Sequence, residues 1–209
     1  MSTSYEKLHV YLTAFGKYEY CTNNPTRILV KHIIKNHKIF STKNTKIILG
    51  KTFKVDTSYI SSHYESFCKR IDNSNERILN IIIELGYNEN SDTFLFLNKV
   101  TLEGKTLDTS LPYKELAQLV SDKGFLYKNV SDDNYVGGNL AYNIANYFQK
   151  EDNVISGFVF IPQEQSFNKQ KQYEFIHNLI EIFEKRFLSK KISVNKIKIS
   201  KEESKIMNF

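Results

Sequence analysis

The stretch ILNIIIELG, residues 78–86, is apolar at nearly every position and closes on a glycine. A strand with one solvated face alternates apolar and polar residues, whereas a strand covered on both faces reads as a continuous apolar run. This segment therefore predicts the central strand of a sheet with helices on either side. The sequence around it agrees. LHVYLTAFG (8–16) is rich in β-branched and aromatic residues, and TKIILGKTFKV (45–55), TFLFLNKV (93–100), FLYKNV (125–130) and VISGFVFIP (154–162) read as further strands. Helical periods separate them. Asn24 before Pro25 is a helix start, because the Asn side chain can accept an orphan N–H and proline needs no donor at the first position; Leu29, Val30, Ile33 and Ile34 supply its apolar stripe. Asp56 or Thr57 can cap a helix carrying Ile60, Tyr64, Phe67 and Ile71, and Ser110 and Pro112 open one carrying Leu116, Leu119 and Val120 that Gly124 stops. Residues 139–149 place Ala141, Ile144, Ala145 and Phe148 on one face, and the longest helix runs from Ser166 to Leu188 with Ile176, Ile180, Phe183 and Phe187 as its stripe. Strands alternating with helices predict an α/β fold, a mostly parallel sheet between two helical layers.

The 209 residues, 41% hydrophobic and 25% charged, suit one globular domain with a sizeable core and exclude disordered and fibrous classes. No apolar stretch reaches the roughly 20 residues of a membrane helix, and Glu6 and Lys7 stand where a secretory segment would be apolar, which predicts a cytosolic protein. The net charge of +6 admits an acidic partner, but many lysines fall in the final LSKKISVNKIKISKEESKIMNF, so a solvated surface and a basic tail are the expected bearers of the excess. With no reader motif, nucleic-acid binding is not expected. Residues 189–209 read as a basic extension beyond a domain of residues 1–188; Ile192, Val194, Ile197 and Ile199 could form a short strand there, or the segment could be a locally packed terminus.

Catalytic motifs are sparse. The chain has no GxSxG, phosphate-binding glycine loop or HExxH, and its two cysteines, Cys21 and Cys68, form neither a disulfide framework nor a zinc pattern, so no metal or other cofactor is expected. The five histidines are scattered and read as packing or surface residues. Asp132 and Asp133, in a Ser/Asn/Gly loop, read as turn formers rather than cation ligands. Cys68, beside an apolar helical stripe, reads as a small buried hydrophobe. Cys21 lies in the loop after the first strand, near the carboxyl ends where open α/β sheets bind ligands, yet nothing local supplies the cationic neighbour or base that a reactive thiol needs.

LTAFGKYEYCTNNPTRI, IIIELG, SLPYKELAQLVSDKG and SGFVFIP, in that order, resemble pyroglutamyl peptidase I (pyrrolidone carboxyl peptidase), a family of cysteine peptidases that remove N-terminal pyroglutamate, over residues 8–188. The resemblance implies a three-layer α/β/α sandwich of phosphorylase/hydrolase-like type with a mixed, mostly parallel central sheet. It implies that Phe15 and Tyr18 are remnants of the aromatic pocket around the pyroglutamyl ring. It also implies vacancies. The family's Cys position falls on Gly138, its His on Phe160, and its Glu on Leu97 or Asn98. Without thiol or imidazole no acyl-enzyme can form by the family's route. The expected protein is a catalytically inactive relative acting as a structural or binding subunit, with protein partners or copies of itself. The alternative is an active peptidase, with Cys21 as a displaced nucleophile.

Overall fold

The computed structural model describes residues 5–18, 21–89, 92–130, 136–163 and 168–206. In chain order the elements are β1 (Lys7–Phe15), α1 (Pro25–Lys35), α2 (His37–Phe40), β2 (Thr45–Phe53), α3 (Thr57–Cys68), β3 (Ile78–Tyr87), β4 (Thr93–Leu97), β5 (Lys99–Leu102), β6 (Lys105–Asp108), α4 (Tyr113–Asp122), β7 (Leu126–Val130), α5 (Val136–Tyr147), β8 (Val154–Ile161) and α6 (Lys169–Ile206). Six strands form one sheet in the order β2-β1-β3-β8-β4-β7. β2, β1, β3 and β8 are mutually parallel; β4 runs antiparallel to β8, and β7 parallel to β4. The predicted three-layer architecture is the observed one, with ILNIIIELG in the middle of the sheet and its residues from Leu79 to Gly86 all buried.

Each face of the sheet closes a separate core. On one, β1 and β3 direct Leu8, Val10, Leu12, Leu79, Ile81 and Ile83 against α1, α4 and α6. On the other, Tyr11, Phe15, Ile82 and Phe158 meet α3 and α5. Full burial of side chains of this size stabilises by about 1.5–3 kcal/mol each, so the alternation along two strands fixes which way every helix packs. At the entry to α1 the Asn24 side chain accepts from Thr26 N (3.1 Å) and donates to the Gly16 carbonyl (3.2 Å), tying the helix start to the end of β1.

Four local differences from the sequence reading have physical causes. TFLFLNKV is not one strand: the chain breaks at Asn98, whose N–H donates to Phe96 O and Val130 O, and Lys99 onward turns away into a β5–β6 hairpin. That hairpin turns at Glu103 and Gly104, both at positive φ, as a two-residue hairpin turn requires. The single turn α2 is too short to leave a periodic signal. Finally, the stretch from Ile192 to Ile199 forms no strand, because α6 continues without interruption to Ile206.

Candidate active site

The carboxyl ends of β1, β3 and β8, together with the first turn of α5, enclose the place where an open α/β sheet binds ligands. Phe15 closes β1, buried, with its ring 5.9 Å from Phe158. Phe158 lies 4.8 Å from Phe160, two residues on along β8. Both rings lean over Gly86 on β3: a Cβ there would come within 2.5 Å of the Phe160 ring and 2.6 Å of Phe158, so any side chain at this position collides with the aromatic cluster. Gly157 is required for a similar reason, since a Cβ would run into the Tyr113 hydroxyl and the Leu111 side chain. Gly137 and Gly138 are buried in the first turn of α5, which packs on β8. Leu97 is buried and pairs with Phe158 across the antiparallel β4–β8 ladder. Its carbonyl accepts from the Thr109 hydroxyl (2.6 Å) and the Tyr113 hydroxyl (2.8 Å). Asn98 is half-buried next to it, with its Oδ1 enclosed and without a hydrogen-bond partner.

Phe15, Leu97, Phe158 and Phe160 thus meet in one apolar cluster under α5. Tyr18 stands apart from them. It forms a small bridge with Cys21, each backbone N–H donating to the other's carbonyl (3.2 and 2.7 Å). Burial raises the Tyr18 pKa, and hydrogen bonding to the Glu89 carboxylate and the nearby Cys21 side chain push it the same way. Cys21 lies beside the Tyr18 side chain. Cys68 is a buried hydrophobe, its thiol pushed up to about 12 chiefly by desolvation and next by the negative charge of Glu84. Among the described residues no group of three His, Cys, Asp or Glu side chains could hold a metal ion. His63 stacks on Tyr59 at 3.8 Å and His32 on Tyr173 at 4.4 Å, both as packing groups. Asp132 and Asp133 lie outside the described residues.

No protein-family model matches the sequence, and no curated protein does either. Solved structures do. The pyrrolidone carboxyl peptidase of Thermococcus litoralis superposes with a TM-score of 0.64 over 83% of this chain and 92% of that one, at 14% identity. For pyroglutamyl peptidase I of Bacillus amyloliquefaciens the score is 0.60 over 84% and 92%, at 18% identity. For the pyrrolidone carboxyl peptidase of Fervidobacterium islandicum it is 0.60 over 85% and 96%, at 17% identity.

The fold is that of the pyrrolidone carboxyl peptidases. On this scaffold one residue escaped the sequence reading. Glu84 lies inside β3, fully buried, with neither carboxylate oxygen hydrogen-bonded, and desolvation pushes its pKa up to about 8. In strand register it stands between Thr13 of β1 and Phe158 of β8, which itself pairs with Leu97 of β4. The Thr13 hydroxyl is buried and also without a partner. The signal was present in ILNIIIELG: an acid in a strand covered on both faces must lose its hydration, and buried carboxyls are rare unless paired.

Proposed function

We propose that this chain is a pyroglutamyl-peptidase-like protein that has lost the peptidase chemistry and serves as a structural or binding subunit of a larger assembly. The observation that carries the reading is Phe160. At the position where the family resemblance expects the imidazole, its ring packs over Gly86 against Phe158. Gly138, at the position expected to bear the sulfur, has no side chain to attack with, and Leu97 is an apolar residue in the same cluster. Replacing groups that need hydrogen-bond partners by groups that pack avoids the cost of burying them unsatisfied, so the substitutions support one another. Phe15, drawn into that cluster, then closes the core where the family's pocket would hold a ring, and Tyr18 is a remnant beside it.

In this reading residues 1–188 form the peptidase-like domain and 189–209 a basic extension, in which α6 continues as far as Ile206. The protein works in the cytosol with protein partners; among the described residues no helix is long and apolar enough to cross a membrane.

The test is turnover of a pyroglutamyl-amide reporter by the full chain, with and without an alkylating agent. No turnover, and slow labelling of Cys21, are expected. Turnover abolished by modification at Cys21 would instead establish an active cysteine peptidase with a relocated nucleophile.

A further inference from the structure

Residues 22–55 contain eight Lys and Arg and no Asp or Glu, so this segment alone exceeds the net charge of +6 of the whole chain. The fold gathers it on one side of the molecule, because α1 and α2 both pack against β2, the outermost strand of the sheet. Lys31, Lys35 and Lys46 are exposed there, and none takes part in an ion pair among the described residues. Three of the exposed large apolar residues lie among them: Ile28 at 47%, Ile39 at 73% and Ile48 at 44%. Ile48 is the extra residue of a bulge in the β1–β2 ladder. The first turn of the strand is covered by its own approach, through Ile47 N–H to Ser41 Oγ and Thr42 N–H to Thr45 O. Beyond it, from residue 48 to 53, no described strand pairs with the outer edge.

We propose that this edge is a docking surface for an extended acidic segment of a partner protein, which adds to β2 as a seventh strand. Main-chain hydrogen bonds to the open edge would hold the segment, and its carboxylates would face the lysines. The chemistry of the patch selects this occupant. Nucleic-acid readers rely on Arg forks and stacking aromatics, whereas seven of the eight cations in the segment are lysines and its exposed large apolar residues are isoleucines. A lipid surface would meet the charge and the isoleucines but offers no partner to the unpaired N–H and C=O groups of an edge strand; another strand does. The partner class deepens the binding-subunit reading and rests on it.

Fluorescence anisotropy with a labelled ten-residue peptide of alternating Glu and Val, added to the full chain, tests it. Binding is expected, falling about tenfold or more in the triple variant Lys31→Glu, Lys35→Glu, Lys46→Glu, and by a similar factor when alternate peptide amides are N-methylated. Should the reversal impair folding, judged by its circular dichroism and melting, the triple Lys→Gln variant replaces it and is expected to weaken binding in the same direction. Absence of binding, or binding indifferent to charge or to N-methylation, overturns the proposal. So does equal or tighter binding of an RNA oligomer or of phosphatidylserine vesicles with the same dependence on the lysines, or self-association in sedimentation velocity that the reversal abolishes. Reporter turnover assayed on the same samples separates the two readings, since turnover defeats the non-catalytic reading whatever the peptide does, and failed peptide binding without turnover defeats only the docking surface.

Discussion

On the face of the sheet under α1, α4 and α6, β1 and β3 present Leu8, Val10, Leu12, Ala14, Leu79, Ile81, Ile83 and Leu85, all aliphatic, with Tyr87 at the end of β3. On the face under α3 and α5 the same strands present Thr13, Asn80 and Glu84 among Tyr11, Phe15 and Ile82, and each of those three polar side chains has a buried oxygen without a hydrogen-bond partner. One face is built for packing alone. The other tolerates groups whose burial costs stability, and of these Thr13 and Glu84, though not Asn80, lie towards the carboxyl ends of their strands. The contrast is confined to what β1 and β3 present: their apolar face packs the scaffold, while their other face carries the unpartnered polar groups.

The largest expected effect comes from Glu84. Its folded pKa, about 8, lies above the unfolded value of 4.5, so its ionisation carries no penalty below pH 4.5. Stability then falls by about 1.4 kcal/mol per pH unit until the pH reaches the folded pKa. Urea unfolding across this range should show that slope, and Glu84→Leu should flatten it and be more stable at pH 8 by up to ~5 kcal/mol. A pH-independent difference between the two proteins would mean that the carboxyl is solvated after all. Next, on the aliphatic face, Ile83→Ala should cost ~3–4 kcal/mol by leaving a cavity at a fully buried position, read as a lower denaturation midpoint at unchanged slope. A smaller loss, about 2 kcal/mol, is expected for Gly86→Ala, since the new methyl meets the Phe158 and Phe160 rings; Phe160→Leu should recover part of it, and additive losses would argue against that contact. The smallest effect is a gain: Thr13→Val removes a buried unpartnered hydroxyl and should stabilise by about 1 kcal/mol in thermal melts.

The fold was legible because burial on both faces writes itself into sequence. ILNIIIELG and VISGFVFIP are unmistakable as interior strands, and Asn24-Pro25 starts α1 where it should. The break at Asn98 was not legible, because TFLFLNKV has strand propensity throughout and only the β7 and β8 partners decide where pairing stops. The extent of α6 was hidden too, since the isoleucines and lysines after Leu188 alternate closely enough to suit a strand. Within the candidate site, motif order pointed to Gly138, Phe160 and Leu97 or Asn98 as the family's catalytic positions, while Glu84 was readable as an acid in a doubly covered strand and only its neighbours showed that it has no hydrogen-bond partner.

By itself the sequence determined the layers, since a two-residue period or an unbroken apolar run dictates how many faces of a strand leave water, and its motif order pointed to the peptidase fold. Tertiary structure alone decided that Phe158 and Phe160 close over Gly86 beside Phe15, and that α1 and α2, with their cations, pack against the outermost strand β2. Those are contacts between segments far apart in the chain, and no local pattern encodes which side chains long-range strand order will bring together.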